Sequence, residues 1–173
     1  MRHADPVPGS EICPDCNVAL PPVDGPAHPY LGASPSCWAL YGEVLAREYS
    51  DPAYMRAHRF TVDAYAAQHP GKPERRSIQS VWVHLSGLYL LLEKGLADAQ
   101  VRRVMSSITR NAGALHWLEP PTQYGCTVSD VVRARDAAEH AALVHQWAED
   151  VWQAWRVHHP SVRSMAEKQV SRL

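Results

Sequence analysis

The chain has 173 residues, 46% of them apolar and 20% charged, with a formal net charge of -1 when histidine is neutral. That size and apolar share suit one domain with its own core and exclude a disordered chain. The charge balance excludes a general nucleic-acid or membrane-surface binder, since both carry a basic excess.

Residues 1–36 read as loop. They hold Pro6, Pro8, Pro14, Pro21, Pro22, Pro26, Pro29 and Pro35 and few apolar residues at a regular period. Such a segment needs a staple, or a surface to lie against. Ser34 then reads as an N-cap with Pro35 at the first helical position. Trp38, Tyr41, Leu45 and Tyr49 follow at helical steps. Ser50 or Asp51 before Pro52 starts a second helix running to about residue 69. Its apolar face carries Tyr54, Met55, Val62 and Tyr65, with His58 among them. Pro70, Gly71 and Pro73 break the chain.

A third helix spans about 74–93 and is apolar nearly all round, as expected for the centre of a bundle. A fourth covers about 97–110, with Val101, Val104, Met105 and Ile108 on one face. After a loop at 111–126, Thr127 and Asp130 form a capping-box pair that opens a last long helix, to about residue 158. Its buried side reads Val132, Leu143, Val144, Trp147, Val151 and Trp155. Pro160 disrupts it, and a short tail helix follows. No strand alternation is visible. The expected fold is an all-α bundle of about five helices (residues 37–173), fronted by a proline-rich, zinc-stapled segment (residues 1–36).

The zinc expectation comes from the cysteines. Cys13-Pro-Asp-Cys16 is a C-x2-C knuckle, whose spacing lets two thiolates reach one ion. Cys37 is the third ligand, at a helix N-terminus that favours a thiolate. His28 is chosen as the fourth, in the stiff loop between knuckle and Cys37, with Cys126 as its rival. A catalytic zinc would need an open position, left if neither of these binds. A redox role for Cys13 and Cys16 is less favoured, because no strand precedes them as in a thioredoxin-like unit. No apolar run follows the first basic residues, so no signal peptide is expected. The longest apolar stretch, residues 81–92, is too short to span a bilayer. A cytoplasmic setting is expected, where closely spaced cysteines more often bind metal than pair.

Among the ten histidines, most have structural readings. His69 closes the second helix and His158 and His159 sit near a helix end, where positive charge is favourable. His58, His84 and His140 each fall on an apolar helix face. An antiparallel hairpin about residues 71–72 puts His58 near the level of His84. If the three converge, they form a catalytic metal site, with Asp63 or Glu139 orienting a ligand or acting as base. The stretch His116-Trp117-Leu118-Glu119-Pro120-Pro121 is a candidate pocket mouth.

Several segments together resemble an uncharacterised bacterial family catalogued as a domain of unknown function. They are the Cys13/Cys16 knuckle, Gly25-Pro26-Ala27-His28, Ser34-Pro35-Ser36-Cys37-Trp38-Ala39-Leu40-Tyr41-Gly42-Glu43, His58-Arg59-Phe60-Thr61-Val62-Asp63-Ala64-Tyr65 with Gln68-His69-Pro70-Gly71, Ser77-Ile78-Gln79-Ser80-Val81, and Trp117-Leu118-Glu119-Pro120-Pro121. The resemblance covers most of the chain and implies common descent without an activity. By architecture alone, the chain is also similar to DinB-like helical bundles, which hold a metal through three histidines. It lacks their two histidines spaced four apart on the last helix, since His140 and His145 are five apart. The expected function is a zinc-binding accessory or binding module, whose partner is a small molecule or a protein. The alternative is a metal-dependent hydrolase or transferase.

Overall fold

The computed structural model describes residues 9–110 and 112–171. The early positions His3, Pro6 and Pro8 lie outside the described residues. The all-α expectation holds: eight α-helices form among the described residues, with one two-stranded sheet.

The proline-rich segment opens with a hairpin, β1 (Glu11–Ile12) and β2 (Ala19–Leu20), which the sequence reading missed. Two residues per strand are too few to show alternation. The first helix, α1 (Pro35–Ser50), starts where expected, with Ser34 Oγ accepting from the Cys37 N–H at 3.2 Å. Its buried stripe is Cys37, Tyr41, Val44 and Glu48, whereas Tyr49, expected inside, is exposed.

The expected second helix is two, α2 (Pro52–Met55) and α3 (His58–Gln68). The third and fourth are α4 (Arg75–Leu92) and α5 (Asp98–Arg110), and α5 buries Val101, Val104, Met105 and Ile108 as its period predicts. The expected long last helix is divided. Thr127 and Asp130 do form the capping box of α6 (Val128–Val131), but the chain then leaves the helix. The Arg47 guanidinium donates to the carbonyls of Val132 and Ala134 at 2.8 and 3.4 Å. Asp136 caps a fresh start at α7 (Ala137–Ala154). A helical turn at Arg156–His158 leads into α8 (His159–Val170), with a proline in its first turn.

Leu85, Leu88 and Leu90 of α4 are fully buried, as are Trp147 and Trp155. Cys13, Cys16, Val18 and Ala33 of the N-terminal segment join the same hydrophobic core. No helix among the described residues is long and apolar enough to cross a membrane.

Candidate metal centre

The hairpin turn sets the first two ligands. The Cys13 N–H donates to the Val18 carbonyl at 2.9 Å, and the Asn17 N–H donates to the Cys13 carbonyl at 3.0 Å. Asn17 has φ 60, a left-handed conformation that asparagine tolerates better than most residues. This folds Cys13 and Cys16 to one side of the turn. Cys37 comes from the first turn of α1. The fourth donor is His69, immediately after α3.

These four side chains are buried, and their donor atoms all lie within 4.8 Å of one another. Cys16 Sγ is 3.9 Å from Cys37 Sγ, and Cys37 Sγ is 3.4 Å from His69 Nε2. A tetrahedral site with zinc–sulfur bonds near 2.3 Å has sulfur–sulfur edges of about 3.8 Å and sulfur–nitrogen edges of about 3.5 Å. The cluster therefore has the dimensions to hold a metal ion.

Its surroundings fit the same role. His69 Nδ1 lies 2.8 Å from the Tyr65 carbonyl, to which it donates, leaving Nε2 for the thiol side. The Tyr65 hydroxyl donates toward Cys37 Sγ at 3.6 Å, and its ring stacks on Tyr41 with centroids 3.8 Å apart. Asp15, between the two knuckle cysteines, accepts from the Gly71 N–H at 2.8 Å. Gly71 has φ +70, and a Cβ there would collide with the Tyr30 carbonyl. A Cβ at Gly32 would collide with the Asp15 carboxylate. The knuckle, the loop before α1 and the turn after α3 are thereby joined around the ligands.

The charges of the cluster are compatible with a cation. Hydrogen bonds from Cys16 and Cys37 hold Cys13 far below the ordinary thiol range. Hydrogen bonding with the same partners, Cys13 and Cys37, pushes Cys16 far above it. Burial opposes a charge on His69, but Cys13 and Cys37 outweigh that and raise it to about 10. Cys13 and His69 are thus shifted toward their charged forms and Cys16 toward its neutral one. Ionising the other thiols requires more positive charge than His69 carries.

His28, expected as the fourth ligand, is elsewhere. Its Nδ1 accepts from the N–H groups of Tyr30 and Leu31 at 3.4 and 3.2 Å, and its ring lies against Tyr30 and Trp38. It organises the loop before α1. The rival Cys126 is also outside the cluster. Its carbonyl accepts from Gln68 Nε2, and burial pushes its thiol up to about 11. Sequence reading missed His69 because a histidine at a helix end has a sufficient local explanation. Its position in Gln68-His69-Pro70-Gly71, just before a forced turn, was the available signal.

The bundle histidines do not share a centre. His58 Nδ1 and His140 Nε2 both go to Glu48, at 2.7 and 2.9 Å. Thr61 Oγ1 donates to the same carboxylate, which is fully buried. His84 Nδ1 instead meets Asp63 Oδ1 at 2.7 Å, and Arg59 Nε donates to Asp63 Oδ2 at 2.8 Å. Asp63, not His58, meets His84 across the α3–α4 pair, while His58 turns to Glu48 of α1. Among the described residues only the cysteine cluster groups three or more donors at metal-binding distance. Glu139 is a helix-start residue: it accepts from Arg135, while its own N–H donates to Asp136. In the 116–121 loop, the His116 carbonyl accepts from Trp82 Nε1 and Leu118 is buried.

The sequence model of DUF5946, a family of unknown function, matches residues 11–156. The chain belongs to this family. The matched stretch includes all four cluster residues and both carboxylate–histidine networks. No curated protein and no solved structure matches the chain.

Proposed function

We propose that this DUF5946 member is a zinc-stabilised helical module that serves as a binding or accessory protein. In it, Cys13, Cys16, Cys37 and His69 hold one zinc ion in a closed structural site. The observation that carries the reading is the donor geometry: tetrahedral edge lengths, with the His69 tautomer fixed by the Tyr65 carbonyl. A structural role fits better than a catalytic one because none of the four donor residues exceeds 2% exposure. A catalytic zinc keeps a position open to water or substrate. Three thiolates with one imidazole favour zinc over the hard cations, which take oxygen ligands. A cytoplasmic setting belongs to the same reading, since the thiols must stay reduced.

Elemental analysis of the purified full-length chain is expected to find one zinc per chain. Cys16→Ser is expected to lose it, with a loss of several kcal/mol of stability in thermal or denaturant unfolding. Small zinc domains gain on the order of 10 kcal/mol from their ion, and this chain has a helical core besides. Protein purified without chelator that binds no metal would overturn the proposal. Stoichiometric iron would keep the site and change its ion.

A further inference from the structure

The Asp63–His84 pair borders a cavity of different chemistry from the cysteine cluster. His84 lines a cavity of about 400 Å³, together with Arg76, Gln79, Ser80, Tyr30 and Thr109. That volume is within the range of small-molecule pockets.

The pair is built to aim the imidazole. Asp63 is fully buried and accepts from the Arg59 guanidinium on one side, and His84 Nδ1 donates to its Oδ1 on the other. A Cβ at Gly87, one turn after His84, would overlap the Asp63 carboxylate, so the approach depends on that glycine. The other ring nitrogen, Nε2, makes no hydrogen bond among the described residues, and the side chain keeps 19% of its surface exposed.

The groups around it are left unpaired in the same way. Arg76 is exposed and has no carboxylate partner among the described residues. Ser80, one turn before His84, is 9% exposed, and its Oγ is buried without a hydrogen-bond partner. Buried hydroxyls normally have partners. No aspartate or glutamate lines the cavity.

We propose that this cavity binds a small oxyanion that also carries a hydroxyl, either a hydroxycarboxylate or a phosphate. Arg76 holds the oxyanion, and His84 Nε2 accepts the ligand's hydroxyl proton as a hydrogen bond. Ser80 supplies a further polar contact, and Asp63 is a positioning residue acting through His84. The proposal does not depend on zinc at the cysteine cluster.

The test is a titration of the purified chain, as isolated, with glycolate and, separately, inorganic phosphate. The readout is the imidazole ring resonances of His84, assigned by their absence in His84→Asn. A saturable shift with either probe is expected, and which probe binds identifies the oxyanion. Arg76→Gln is expected to weaken binding at least about tenfold, as for loss of a charge-assisted hydrogen bond. Arg76 is exposed, so that variant leaves the fold intact. His84→Asn should weaken binding similarly, measured by calorimetry. Asp63→Asn should change the His84 ring nitrogen resonances toward a mixture of tautomers, and an unchanged spectrum would remove Asp63 from the proposal. No saturable shift with either probe at millimolar concentrations overturns the site. So does binding that is indifferent to Arg76→Gln or to His84→Asn.

Discussion

The two ends of α3 treat histidine in opposite ways. At its start, His58 meets Glu48, which also takes His140 and Thr61. The carboxylate is fully buried, yet each of its oxygens accepts a hydrogen bond from a neighbouring side chain. Just past its end, His69 meets three buried cysteines. There three thiols share one imidazole. A buried carboxylate surrounded by donors is complete within the chain, apart from His140 Nδ1, which has no partner. A buried thiol cluster with one imidazole could take a cation as its further partner. Counting histidines does not separate these cases, but counting their charge partners does.

Substitution at each end should break the two regions differently. His69→Ala is expected to have the largest effect, with loss of the bound metal and of several kcal/mol of stability. His28→Ala should keep the metal and cost about 1 kcal/mol, the scale of its hydrogen bonds to the loop N–H groups. Metal content read beside the melting temperature checks both, and retention of the ion by His69→Ala would remove it from the ligand set. At the other end, Glu48→Gln replaces with an amide the carboxyl that both His58 and His140 contact. It is expected to cost about 3–5 kcal/mol, the scale for breaking a buried pair, with metal content unchanged. Unfolding with and without chelator checks the separation. If the Glu48→Gln loss changes when the ion is stripped, the two ends are coupled. Gly87→Ala sharpens the comparison with a smaller effect than Glu48→Gln, about 1–3 kcal/mol, because its Cβ displaces the Asp63 carboxylate and leaves the cysteines untouched. Denaturant midpoints measure it.

Features that depend on neighbours in sequence were the legible ones. Ser34 capping α1, the Thr127–Asp130 box and the buried face of α5 each need only a few residues to specify them. The breaks around residues 56–57 and 132–136 were not legible. The second of these is supported by Arg47, which reaches the carbonyls from α1, so no local pattern announces it. The cysteine part of the metal cluster was legible from spacing and from the knuckle. Its histidine was not, since His28 is nearer in sequence while packing of α3 brings His69 nearer in space. The inward rotation of Glu48 was hidden for a similar reason. A glutamate on a helix reads as solvated until its partners, two of them on α3 and one on α7, are placed around it.

The span of the cysteine cluster along the chain has a consequence for the order of folding. Cys16 and Cys37 are 21 residues apart, and Cys37 and His69 are 32 apart. The knuckle can capture an ion early, because its own turn brings Cys13 and Cys16 together. In the proposed site, completing the coordination would wait until α1 and the far end of α3 have docked, since loop closure over such separations carries its own entropy cost. An ion held by two thiolates would thus mark an early, open chain, and one held by all four donors a finished assembly. Rapid mixing of metal with the metal-free chain should resolve two steps, a fast local capture and a slower closure that follows the rate of helix docking.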